Sequence, residues 1–177
     1  MLKGLTTKFF AVTLLFCGIF TRAFSLEVSA IKTEGDGEAT ITFCKTLKIE
    51  NVALDKNSVV KTIVFEKDDG KFENIALLNK TLADKIVSCF EGVCDIKTAC
   101  NSVSYTLLSA RKAKDNNLVI AKVAFDKDIN AVFLVSSFKK KNKIIYRVKM
   151  PQDLKFLSSK YKKNFRNWLI KETKDLL

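Results

Sequence analysis

The residues best equipped for chemistry in this chain are its cysteines and its lysines. Of five cysteines, Cys17 falls within an apolar N-terminal run, which leaves Cys44, Cys89, Cys94 and Cys100. An even set of this kind in an exported chain points to two disulfides, with three possible pairings. Cys94 and Cys100 are close enough to close a short loop, and Cys44 would then pair with Cys89. A zinc site is the alternative, but there is no C-x-x-C and the chain has no histidine, so no metal ligand set is expected. A cysteine nucleophile would need a free thiolate beside an activating group, and structural bridges are the simpler use of four thiols.

The absence of histidine also removes the usual general base. The sequence contains no G-x-S-x-G elbow, no glycine-rich phosphate loop and no acidic pair in an apolar setting. A non-enzymatic protein without a cofactor is therefore expected. The lysines offer polyanion binding instead: Lys139, Lys140, Lys141 and Lys143 form one basic turn, and Lys155, Lys162, Lys163 and Arg166 lie in or near a C-terminal helix. Such groups neutralise phosphates with salt-dependent affinity; the competing reading is a solvated helix face. Tyr161, Phe165 and Trp168 could stack bases, but their helical spacing marks them as core.

Residues 1–25 have the form of a secretory signal. Lys3 and Lys8 precede the apolar run Phe9–Phe20, and Ala23-Phe24-Ser25 supplies small residues for cleavage. The run is shorter than the ~20 apolar residues of a membrane span. The mature chain would be residues 26–177. Three of the 31 basic residues and none of the 19 acidic ones fall in the leader, leaving a net charge of +9. That charge attracts anionic polymers, although solubility alone could also account for it. An apolar content of 47% with one proline argues for a folded domain.

Positioning falls to two runs of strands, each ending in a helix. Alternation marks strands at Leu26–Thr33, Ala39–Phe43, Lys48–Leu54 and Val59–Phe65, with turns at Glu34–Gly37, Asp55–Ser58 and Asp68–Gly70. Phe72 and Ile75 break the alternation, predicting a bulge or strand end near Asn74. A helix from about Asn79 carries Leu78, Leu82, Ile86, Cys89 and Phe90 on one face, with Thr81 and Asp84 as a capping box and Gly92 as its stop. After a linker the pattern restarts at Tyr105–Ala113, Leu118–Phe125, Ile129–Ser136 and Ile144–Met150. A last helix begins near Ser158, with Tyr161, Phe165, Trp168, Leu169 and Leu176 as its apolar face. Ala39-x-x-x-Phe43-x-Lys45 matches Ala121-x-x-x-Phe125-x-Lys127, and Ser29-Ala30-x-Lys32 matches Ser109-Ala110-x-Lys112, which suggests internal duplication.

Ala39–Cys44 (ATITFC), Gly70–Ala76 (GKFENIA), Ala121–Asp126 (AKVAFD), Val148–Pro151 (VKMP) and Leu157–Ser159 (LSS) resemble, in order and twice over, the motif blocks of the SpoVG-like (stage V sporulation protein G, septation protein) family. The second half is too short after Pro151 for the G-E-F hairpin and would be a trimmed copy. The resemblance implies two α+β units, each a small antiparallel sheet closed by a C-terminal helix: residues 26–91, a cysteine-containing linker 92–103, and residues 104–177. It further implies a pseudo-dimer within one chain. The family's nucleic-acid-binding helix arginine falls at Ala83 and Lys162, so the second copy alone would keep a cation. The expected function is an exported binding or adaptor protein whose partner is a protein or polyanion, bound through a sheet face or the basic C-terminal helix. A nucleic-acid-binding regulator linked to septation or sporulation is the alternative, weakened by export.

Overall fold

The computed structural model describes residues 26–34, 37–54, 60–61, 64–67, 70–94, 96, 103–114 and 117–177, and of residues 60–73 the backbone alone. The leader, Cys100 and most of the 92–103 linker lie outside the described residues.

The fold is α+β, with two antiparallel sheet units, each covered by a helix. The first sheet begins with β1 (Val28–Thr33), β2 (Glu38–Phe43) and β3 (Leu47–Leu54), with β4 (Val60–Lys61) beside the end of β3. Then β5 (Val64–Lys67) and β6 (Gly70–Glu73) form a separate hairpin, followed by β7 (Ile75–Leu77) and α1 (Lys80–Phe90). The second sheet contains β8 (Tyr105–Lys112), β9 (Leu118–Phe125), β10 (Ile129–Lys140) and β11 (Lys143–Lys149). The chain ends with β12 (Leu154–Phe156), α2 (Ser159–Thr173) and a 3₁₀ turn.

Local sequence accounts for most of these elements. In β2 the odd positions Ala39, Ile41 and Phe43 are buried and their neighbours are not, the period-two pattern of a half-covered strand. Two tight turns, Phe43–Thr46 and Phe125–Asp128, hold both central residues at positive φ: Cys44 and Lys45 in one, Asp126 and Lys127 in the other. That geometry matches strand twist in two-residue hairpins. Helix α1 is capped by Asn79, whose Oδ1 accepts from the backbone of Thr81 and Leu82, so the expected Thr81–Asp84 box is not the cap. Gly92, at φ 86°, follows the helix in the left-handed conformation that a glycine adopts without a Cβ clash. Ser158 caps α2 through Tyr161 N–H.

The sheets do not follow the halves of the chain. β12, from the second half, pairs with β3 in the first sheet, Leu154 opposite Ile49 and Phe156 opposite Leu47. β7, from the first half, pairs with β10 in the second sheet, Ile75 opposite Ala131 and Leu77 opposite Ile129. The hydrogen bonds that dock the exchanged strands match in kind. Leu78 N–H donates to Asp128 O at 2.8 Å and Leu157 N–H to Thr46 O at 2.9 Å. Val132 N–H donates to Asn74 O at 2.8 Å and Glu50 N–H to Asp153 O at 2.9 Å. The break at Asn74 is therefore where the chain leaves the β5–β6 hairpin for the second sheet, a more specific event than the bulge its irregular alternation suggested.

Helix α1 packs on β1, β4 and β7, and α2 on β8, β11 and β12. One continuous apolar cluster joins both halves, from Leu26, Ile41, Phe43 and Leu82 to Phe125, Phe133, Leu154 and Phe165. Leu82, Ile86 and Cys89 are buried in α1 as its spacing predicts, but Leu78, just before the cap, is 53% exposed.

The cysteine pairing differs from expectation. Cys89 is bonded to Cys94 across the end of α1, which excludes both Cys94–Cys100 and Cys44–Cys89. Cys44 is also disulfide-bonded, to neither of those two. The physical reason is the helix stop: the turn at Gly92 folds the chain back so that Val93 N–H reaches Ser88 O, bringing Cys94 beside Cys89 with a Cα–Cα distance of 4.2 Å. The bonded pair is also the closer one in sequence, 5 residues apart.

Candidate binding groove

Strand β11 is an edge of the second sheet, and α2 crosses beside it. Between them lies a half-open groove of about 430 Å³. Its floor is apolar, formed by Phe138, Val148, Met150, Phe156 and Phe165, and three cations border it: Arg147 from β11, Lys162 and Arg166 from α2. Lys162 and Arg166 are one helical turn apart and so share a face. Arg166 Nη2 donates to the carbonyl of Tyr146 at 2.8 Å, which ties the helix to the edge strand.

The predicted basic residues separate into three groups. Lys162 and Arg166 border the groove, while Lys163 is exposed on α2 outside it. Lys139, Lys140, Lys141 and Lys143 are exposed at the far end of the β10–β11 hairpin, whose turn residues Lys141 and Asn142 have positive φ. Lys155 does not belong with the helix. It stands on β12 in the first sheet and forms an ion pair with Glu50, which Lys48 also contacts at 2.7 Å. Hydrogen bonds from Lys155 first, then Lys48, hold the Glu50 carboxyl below its usual range. Strand exchange moves Lys155 away from the helix that follows it in sequence.

Arg147 was not singled out by the sequence reading. The signal was present in the alternation of Lys143, Ile145, Arg147 and Lys149, which sets three cations on one face of β11; only the packing of α2 makes Arg147 part of a groove.

The aromatic residues of α2 are structural. Phe165 is 1% exposed and contacts the rings of Phe133 and Phe156 at centroid distances of 4.8 and 4.9 Å. Trp168 lies against Tyr105 at 4.6 Å. The Tyr161 hydroxyl donates to Val103 O at 2.9 Å, and burial, then the neighbouring Tyr105 and Asp126, push its pKa up. These faces are already occupied, so no free stacking platform remains along this row. Leu176, expected on the same face, is 37% exposed in the terminal 3₁₀ turn.

Among the described residues, no three His, Cys, Asp or Glu side chains converge as a metal site would require. No described helix is long and apolar enough to cross a membrane. What the groove offers chemically is an apolar trough with positive charge along its rim. No family model, curated protein or solved structure matches the chain.

Proposed function

We propose that this chain is an exported, non-enzymatic binding protein built from two divergent SpoVG-like units, and that it holds an acidic polymer or protein segment in the groove between β11 and α2. The observation that carries the reading is the placement of Arg147, Lys162 and Arg166 around one apolar trough beside an edge strand. The three cations are exposed, and their positive potentials add along one rim, which attracts anions more strongly than an isolated lysine does. The matched docking of β7 and β12 supports the tandem-unit reading and a pseudo-dimer within one chain. The Cys89–Cys94 bridge supports an oxidising compartment.

Retention on heparin and on DNA at rising salt tests this. Substituting Arg147 and Lys162 with glutamine should lower the eluting salt concentration and reduce the salt dependence by about one unit per lost contact. Arg166 is left intact because it braces Tyr146. If that double variant elutes with the wild type while loss of Lys139–Lys143 releases the protein, the hairpin tip binds and the groove does not. Preferential retention on DNA by a chain that keeps Met1 would favour the regulator reading.

A further inference from the structure

Leu26 N donates to Oδ2 of Asp128 at 2.6 Å, linking positions 102 apart in sequence. Leu26 is 0% exposed and Asp128 is 4% exposed. The other carboxylate oxygen accepts from Asn79 Nδ2 at 2.7 Å. Among the described residues, no lysine or arginine is ion-paired with Asp128. A buried carboxylate satisfied by neutral donors alone is costly, whereas a paired one is far less so. Glu27, the residue after Leu26, is pinned as well. Cys44 N–H donates to Glu27 O at 3.1 Å, and Lys85 Nζ pairs with Glu27 at 2.9 Å.

The matching place in the other half is chemically different. Asp126 N–H donates to Ser104 O as Cys44 N–H does to Glu27 O, which makes Val103 the counterpart of Leu26. Thr46 is the counterpart of Asp128: each closes a positive-φ turn and accepts from the residue just before a helix cap. Val103, like Leu26, is buried, but it lies mid-chain, where its nitrogen can only be a neutral amide, and the residue matching Asp128 there is a neutral threonine. The acid occurs where the backbone nitrogen belongs to Leu26, directly after Ala23-Phe24-Ser25.

We propose that Leu26 is the mature N-terminus and that its α-ammonium forms a buried ion pair with Asp128. Water adds across the Ser25–Leu26 peptide bond, giving a carboxylate on Ser25 and an ammonium on Leu26. An α-amine, with an ordinary pKa near 8, is charged at neutral pH. Leader removal thereby changes a neutral hydrogen bond into a charge pair at the junction of β1, the Phe125–Asp128 turn and the α1 cap, and stabilises the processed fold over its precursor. The inference rests on the export reading above.

The test starts from the full chain, expressed with its leader and purified from the exported fraction. A product beginning at Leu26 is expected by mass; an intact Met1 would overturn the export reading and this inference together. A second precursor carries one alanine inserted between Ser25 and Leu26, so that the released ammonium is displaced by one residue. Both are made with Asp128 and with Asp128→Asn. The insertion should lower the folding equilibrium constant at least about tenfold with Asp128 and less than about twofold with Asp128→Asn, the signature of coupling between the two groups. If Asp128→Asn does not fold, reactivity of the α-amine toward an acylating reagent decides instead. It should be at least about tenfold slower in the Leu26 product than in the inserted one, as burial and pairing require. A Leu26 terminus with equal insertion effects in both backgrounds, or with equal amine reactivity, would overturn the ion pair while leaving export standing.

Discussion

Leu154→Ala measures how far the exchanged strands fuse the two units. Leu154 is 1% exposed, stands opposite Ile49 in the first sheet, and belongs to the second half of the sequence. The substitution removes three carbons, a transfer loss of about 2.4 kcal/mol at ~0.8 kcal/mol per buried methylene. The cavity left in a packed core brings the total to about 3–4 kcal/mol. Against a native stability of about 5–15 kcal/mol this is a large fraction. With a urea slope of about 2 kcal/mol/M, the midpoint should fall by roughly 1.5–2 M. Two probes follow it. The chain has one tryptophan, Trp168, half-buried on α2 against Tyr105, and its fluorescence reports the second unit. Amide hydrogen exchange along β1–β3 reports the first. Because β12 is covalently continuous with α2 yet hydrogen-bonded into the first sheet, both probes should shift by the same amount in one cooperative transition. The reasoning is refuted if protection in β1–β3 collapses while the Trp168 midpoint moves by less than about 0.3 M.

Three further outcomes follow from the same geometry. Ser158→Ala should cost about 1 kcal/mol, the usual loss of a helix cap, while Asn79→Ala should cost about 2–4 kcal/mol because Asn79 also donates to Asp128; urea midpoints of the two variants check the difference. Replacing Cys89 and Cys94 together with serine should cost about 2 kcal/mol, as expected for so short a loop, at a sequence separation of 5, and non-reducing peptide mapping of the wild type should recover these two residues linked. Glu50, held below its ordinary range by Lys155 and Lys48, contributes stability that is complete above its unfolded pKa of about 4.3 and is lost as the pH falls through the lower folded value; the stability gap between wild type and Glu50→Gln should therefore narrow between pH 6 and pH 3, and a constant gap would contradict it.

Features that depend on neighbours along the chain were legible in the residues alone. Strand alternation placed β2 and β9, polar turns separated them, and Ser158 and Gly92 marked helix ends, since dihedral preference and the 2.0 and 3.6 periods act over a few residues. The irregularity at Asn74 was visible, but its meaning was not: pairing Ile75 with Ala131 depends on the other sheet offering an open edge, which no local pattern encodes. For the same reason β12 went unread, because three residues after Pro151 carry too little periodicity to declare a strand. Lys155 was grouped with the helix it precedes, although strand exchange places it beside Glu50. The reversal at Gly92 joins Cys89 to Cys94, the two cysteines nearest each other in sequence at a separation of 5, where the expected pairing had joined Cys94 to Cys100. Which basic residues share a surface follows from packing between distant elements. Lys162 and Arg166 share one because they lie a helical turn apart, and Arg147 joins them because α2 packs across an edge strand whose register is set by long-range burial.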